Sequence, residues 1–401
     1  MPQIKPEVEA FARIKVLGVG GSGKNALNHM INSKVRGVEF VAINTDAQDL
    51  HNTQAKKKIH IGKNLTRGLG TGMNPELGRR AVDEAQEEVR EVVQGADMVF
   101  VAGGLGGGTC TGAAPRIAQI AKELGALTVA VVTKPFFFEG LQRMRVAEQG
   151  LEELRSVVDA IIVIPNDRLL SIISKETSAR SAFAMCDEVL RQAVEAISDL
   201  ITTPGVINID FADIKAIMEN AGPALMGIGN AAGEKRAEEA AKMAINSPLL
   251  ELSIAGAKGV LFSIAGGDDL TMFEIQDAAK IITESVDPNA KIIFGTIRND
   301  GLKKGEVRIT VIATGFPEAM VRKSLFHQES LEKTISRDPE EKESKKGKIY
   351  NTISTPSAAP APAVATEQTE KKTTPTPALG DIEDDDEWSA VPAFLRRSKL
   401  K

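Results

Sequence analysis

The 401-residue sequence predicts an α/β protein: a doubly wound parallel sheet, a long central helix, a smaller α/β domain and a disordered C-terminal tail. Three observations carry that reading. Short apolar, β-rich runs alternate with helical runs from residue 13 to 165, as a parallel sheet covered by helices on both faces requires. An amphipathic stretch at 178–201 is long enough to bridge two domains. Beyond about residue 317 the composition turns to mixed charge and then to Pro, Ala and Thr, which cannot bury enough apolar surface to fold.

Strands are expected at 13–18, 38–43, 98–102, 127–132 and 160–164, with helices at 23–33, 75–94, 113–124 and 141–156 between them. In the long helix Phe183, Cys186, Leu190, Val194, Ile197 and Ile201 recur at helical spacing, and the run Thr-Thr-Pro204-Gly205 ends it. A helix of about 24 residues spans roughly 36 Å. Strands at 258–264, 291–297 and 307–313 then alternate with helices near 211–220, 234–245 and 270–285. The expected division is a first domain at 1–177, the helix at 178–203, a second α/β domain at 204–316, a linker at 317–380 and a terminal peptide at 381–401. A flexible linker of some 60 residues has an r.m.s. span of roughly 40–45 Å.

Composition narrows the function. A net charge of −5 gives no basic face for nucleic acid. Two cysteines, Cys110 and Cys186, cannot build a disulfide framework, and no Cys/His spacing suggests zinc. Glu7 and Glu9 interrupt any apolar stretch at the start, and no run is long enough to span a bilayer. A soluble, cytoplasmic protein is expected.

Two glycine loops carry the chemistry. The first, Gly18-Val-Gly20-Gly21-Ser22-Gly23-Lys24-Asn25, follows a strand and opens a helix. Amides at a helix N-terminus bind phosphate. Two phosphate motifs fit this loop. Read as Gly-x-Gly-x-x-Gly it matches a dinucleotide fingerprint, with Asp46 near the ribose-binding acid of an NAD-dependent oxidoreductase. Read as Gly-x-x-x-x-Gly-Lys it nearly matches a P-loop, with Asn25 in place of the magnesium-binding Ser/Thr. The loop alone leaves the ligand open. The second loop, at 103–112, has six glycines in ten residues, too costly in entropy for a plain connector. Its use is close backbone approach to a large anion, with Thr109 and Thr111 as hydroxyl donors. Two such loops after neighbouring strands suggest one nucleotide gripped from two sides.

The stretch Gly107-Gly108-Thr109-Cys110-Thr111-Gly112 resembles the glycine signature of the tubulin/FtsZ family. Further stretches agree in spacing: Asn44-Thr-Asp46-Ala-Gln48, Gly68-Leu-Gly-Thr-Gly72-Met-Asn74-Pro75-Glu76, Pro135-Phe-Phe-Phe-Glu139-Gly140, Ile164-Pro-Asn166-Asp167 and Asn208-Ile-Asp210-Phe-Ala-Asp213. The resemblance covers about 14–315 and the terminal peptide, and favours the FtsZ branch over eukaryotic tubulin. Two departures stand out: Cys110 where the family usually has glycine, and Lys24 where small residues are usual, adding a positive charge near the phosphates.

The resemblance implies GTP/GDP as ligand, with Mg²⁺ held mainly by the phosphates and water rather than by protein side chains. Gly20, Gly21, Ser22 and Asn25, with Gly107, Gly108, Thr109, Cys110, Thr111 and Gly112, would surround the phosphates. Glu139 and Arg143 would meet the ribose, and Asn166, Phe183 and Asp187 would read the base. From spacing alone, Glu139 and Arg143 are a solvated i,i+4 pair and Phe183 is core of the long helix. Asn208, Asp210 and Asp213 would complete the active site of an adjoining copy; from pattern alone the two acids start a helix as cap and first-turn residue. The resemblance further implies head-to-tail homopolymers at the bacterial division site. The terminal peptide from Trp388 to Arg397 would dock on membrane-anchor and regulator proteins by helix-in-groove capture, without direct membrane insertion. A polymer-forming relative that binds GTP without hydrolysing it is the other reading; it needs a damaged catalytic loop, whereas Asn208, Asp210 and Asp213 are all present.

Overall fold

A computed structural model describes residues 12–170, 176–203, 205–250, 253–299 and 301–317. The chain divides into two units, Met1–Asp338 and Pro339–Lys401, and every described residue lies in the first. The terminal peptide and all of the expected linker except Pro317 lie outside the described residues.

The first half runs β1 (Ile14–Val19), α1 (Gly20–Asn32), β2 (Val38–Asn44), α2 (Ala47–His51), β3 (Lys57–His60), α3 (Lys63–Thr66), α4 (Pro75–Glu84) and α5 (Gln86–Val93). Then come β4 (Met98–Gly104), α6 (Gly108–Glu123), β5 (Leu127–Lys134), a 3₁₀ turn (Phe137–Glu139), α7 (Leu141–Val157), β6 (Ala160–Pro165) and α8 (Asn166–Leu170). The long helix is α9 (Ala179–Thr202). The second half runs α10 (Phe211–Met218), β7 (Gly222–Ala232), α11 (Arg236–Ile245), β8 (Gly259–Gly266), α12 (Met272–Glu284), β9 (Lys291–Arg298) and β10 (Glu306–Thr314).

The ten strands of the described residues join one sheet in the order β3-β2-β1-β4-β5-β6-β7-β10-β8-β9. From β3 to β6 every pairing is parallel; β10 runs antiparallel to both β7 and β8. The sheet is doubly wound because strand residues alternate between two buried layers. Val16, Met98 and Phe100 face the layer that holds α9, while Leu17, Val99 and Val101 face the layer under α4 to α7. A third cluster packs α11 and α12 on the second-half strands.

Several elements differ from expectation, each for a local reason. The single helix expected at 75–94 breaks at Ala85, whose φ of −108° and ψ of 23° leave the helical region. The helix expected at 113–124 starts five residues earlier, at Gly108, within the glycine loop itself. Strand β7, which the sequence reading leaves unassigned, carries Gly222, Pro223, Gly227 and Gly229. There α11 lies directly on the strand backbone: a Cβ on Gly227 would stand 2.0 Å from Ala244 O, and one on Gly229 2.0 Å from Ala240 O.

Candidate functional site

The strand order β3-β2-β1-β4-β5-β6 reverses direction between β1 and β4, and ligands of open α/β sheets bind beyond the strand ends at such a point. Both glycine loops sit there. Helix α1 begins at Gly20, the residue after β1, and α6 at Gly108, four residues after β4. Neither has a side-chain cap, since Val19 and Gly107 occupy the capping positions, and neither has an acid in its first turn. A helix start leaves four backbone N–H groups without intrahelical partners, and their partial positive charge attracts anions.

Gly20 lets the two helix starts approach closely, and Gly108 lets the start of α6 lie against the 71–74 segment. Gly20 has φ +72°, and its missing Cβ would lie 3.3 Å from Cys110 N. A Cβ on Gly108 would fall 2.1 Å from Thr71 Oγ1. Ser22 Oγ accepts from Gly104 N at 2.6 Å, tying the first loop to the second. Thr109 Oγ1 lies 2.8 Å from Thr45 Oγ1 and 3.3 Å from Thr71 Oγ1, so a threonine cluster fixes the α6 start.

These helix ends open on a cavity of about 360 Å³. Of the residues expected at the ligand, Gly20, Gly21, Ser22, Asn25, Gly107, Gly108, Thr109, Cys110, Glu139, Arg143, Asn166, Phe183 and Asp187 all line it. Glu139 and Arg143 do form the i,i+4 pair, at 2.6 Å, yet both line the cavity. Glu139 also accepts from Phe136 N at 3.0 Å, which pins the carboxylate at the rim. Phe183 is not core: it is 46% exposed and meets Phe136 edge-on at 5.4 Å. Asn166 is 5% exposed, and its Oδ1 has no hydrogen-bond partner among the described residues. A buried amide oxygen without a donor costs free energy, which a ligand N–H in the cavity would recover. Burial pushes the Asp187 carboxyl up to about 6, against the pull of His29 and Lys24.

Thr111 and Gly112 do not line the cavity. Thr111 is buried and its hydroxyl accepts from Gly106 N at 2.9 Å, closing the loop on itself. Gly112 packs on α4, where a Cβ would stand 1.8 Å from Pro75 O. Lys24 is not on the cavity wall; its ammonium is paired at 2.5 Å with Asp49 Oδ1, although its charge still reaches Asp187. Asp46 caps α2 by accepting from Asp49 N at 2.9 Å. It is absent from the cavity wall, so the dinucleotide reading loses its ribose acid.

Residues the sequence reasoning missed include Gly104, Leu105, Thr133, Pro135, Cys186 and Leu190. Cys186 and Leu190 share a stripe with Phe183 and Asp187 at spacings of three, four and seven. From spacing alone the apolar members of that stripe read as core; only the resemblance put Phe183 and Asp187 at the ligand. Asn208, Asp210 and Asp213 are exposed and lie outside the cavity, around the start of α10. Asp210 is indeed that helix's N-cap, accepting from Ala212 N at 3.2 Å, and Asn208 Oδ1 accepts from Gly205 N at 2.7 Å.

Both cysteines are buried, and burial pushes each thiol up to about 12. Only the thiolate attacks. Native protein at pH 7.5 is therefore expected to react slowly with an aromatic disulfide reagent whether or not nucleotide is bound, and to release two equivalents promptly once unfolded. Rapid modification of the native chain at Cys110, read by peptide mass, would contradict this placement.

Fold and cavity are those of a nucleotide-binding protein, with both glycine loops at the switch point of the sheet. Residues 13–174 match the tubulin/FtsZ family GTPase domain, residues 222–317 match the FtsZ family C-terminal domain, and the chain belongs to this family. It is similar to an empty FtsZ dimer from M. jannaschii at 48% identity, with a TM-score of 0.74 over 77% of this chain and 89% of that one. A point mutant of FtsZ from M. jannaschii, also 48% identical, gives a TM-score of 0.73 over 76% and 92% of the two chains. A GTPγS-bound protofilament of CetZ2 from Haloferax volcanii shares the fold at 21% identity, with a TM-score of 0.66 over 81% of this chain and 100% of that one.

Proposed function

We propose that this chain binds GTP in the cavity, hydrolyses it to GDP and phosphate, and stacks head to tail into filaments in which one copy's Asn208–Asp213 loop completes the next copy's site. The carrying observation is the meeting of two uncapped, acid-free helix starts at one cavity whose wall also holds the orphaned Asn166 oxygen. Phosphates suit the helix ends, and guanine suits the opposite wall. The ionised Asp187 carboxylate can accept from the N1–H and N2 amine of guanine, which adenine lacks. Phosphoryl transfer needs positioning and charge stabilisation more than covalent chemistry. Exposed carboxylates brought by a neighbour can orient water there. Family membership and the dimeric and protofilament forms of the relatives support assembly of this kind.

Among the described residues no group of three His, Cys, Asp or Glu side chains could hold a metal. Mg²⁺ entering with GTP would take its ligands mainly from the phosphates and water, and would offset their charge. Among those residues no helix is long and apolar enough to cross a membrane. We place the protein in the cytoplasm at the division site, tethered through Trp388 to Arg397 to anchor and regulator proteins.

A site shared between copies makes specific activity depend on concentration. Phosphate release per molecule should fall towards zero below a threshold and rise with light scattering above it, for GTP but not for ATP or NAD. Constant activity per molecule across dilution would sink the shared site, and NAD binding in place of GTP would sink the ligand.

A further inference from the structure

Lys24 stands one turn into α1, beside the phosphate cradle but outside the cavity. Its ammonium and Asp49 Oδ1 are 2.5 Å apart, with side-chain exposures of 15% and 27%. Asn44 Nδ2 donates to the other carboxylate oxygen at 2.8 Å, so Asp49 is fixed at both oxygens. That second oxygen lies 3.5 Å from where a Cβ on Gly21 would stand, and Gly21 is the second residue of α1 and part of the cavity wall. Asp49 occupies the first turn of α2, where a carboxylate suits that helix. It is nevertheless a formal anion held against the helix end that must attract phosphate.

We propose that Lys24 is a positioning residue for the nucleotide: it neutralises Asp49 and so keeps the amide end of α1 attractive to phosphate. The inference rests on the GTP reading above. It assigns the Lys24–Asp49 pair an effect on anion affinity that its contribution to stability does not measure. Exposed ion pairs stabilise folds little, but a half-buried charge beside a ligand acts on that ligand with less screening.

The two partners then have opposite effects when removed. Lys24→Met exposes the carboxylate and should weaken binding of a fluorescent GTP analogue to the full chain about tenfold, equal to 1.4 kcal/mol. The matching GDP analogue, carrying less negative charge, should lose less. Asp49→Asn leaves the cation alone and should bind the GTP analogue at least as tightly as the parent. The double variant should recover most of the loss. A merely structural pair would weaken binding in both single variants. Unchanged affinity in Lys24→Met, or a double variant as weak as Lys24→Met, would overturn the proposal. Should Lys24→Met fail to fold by its melting curve, weaker binding in Asp49→Asn would overturn it by itself. A parent chain that binds no GTP would defeat the nucleotide reading as well, whereas a binding parent with indifferent variants defeats the role of Lys24 alone.

Discussion

Asp213→Ala is expected to bind GTP within about twofold of the parent and to release phosphate about 10²–10⁴ times more slowly, the range a positioned acid–base group contributes. The residue is exposed and outside its own copy's cavity, so binding has no reason to change. Its other role, an acid in the first turn of α10, is worth about 0.3–1 kcal/mol, too little to abolish turnover in a folded protein. Asp210 would be a poorer choice, because it caps the helix directly. Mixing supplies the decisive measurement. Thr109→Arg places a long cation in the hydroxyl cluster of Thr45 and Thr71 and blocks its own cavity while leaving the Asp210–Asp213 region intact. Filaments of the two variants contain junctions where an intact cavity meets an intact loop, and phosphate release should partly return. Co-sedimentation without any recovered release would count heavily against a site built from two copies.

The second large effect falls on stability. Gly112→Ala puts a Cβ 1.8 Å from Pro75 O and 2.9 Å from Arg79 N, backbone atoms that no side-chain rotation can move aside. Helices α4 and α6 must separate, at an expected cost of about 3 kcal/mol, or roughly 6–12 °C in Tm. Affinity for GTP in the surviving folded fraction should change far less. The opposite pattern, an unchanged melting curve with lost GTP binding, would return Gly112 to the ligand.

Gly112 also marks how far the sequence could be read. The glycine loops announced phosphate binding because few other uses justify their entropic cost, and both sit at the switch point of the sheet. What the pattern could not separate was glycine that yields to a ligand from glycine that yields to a neighbouring helix. Gly107 faces the cavity while Gly112 faces Pro75. In β7, too, Gly227 and Gly229 make room for a helix, α11. Phe183 shows a related limit. Helical periodicity found its face of α9, but burial fades where that face runs out into the cavity, and periodicity carries no information about where a stripe stops being core. Lys24 was read as a charge aimed at phosphate because its partner, 25 residues away, is brought alongside only by the pairing of β1 with β2.

Helix α9 has a consequence for the filament as an object. Its 24 residues span roughly 36 Å, with Phe183 and Asp187 at the cavity end and Thr202 just before the loop that carries Asn208 and Asp210. If that loop reaches the cavity of the next copy, the step from copy to copy equals the distance between cavity and loop within one copy. The helix then serves as a ruler: it separates Phe183 from Thr202 by roughly 28 Å of rise, and the axial repeat in averaged filament images should follow that separation. Lengthening the rod by one turn would stretch that period by about 5 Å while leaving each cavity unaltered, so the spacing of the polymer is written into a single element of the monomer.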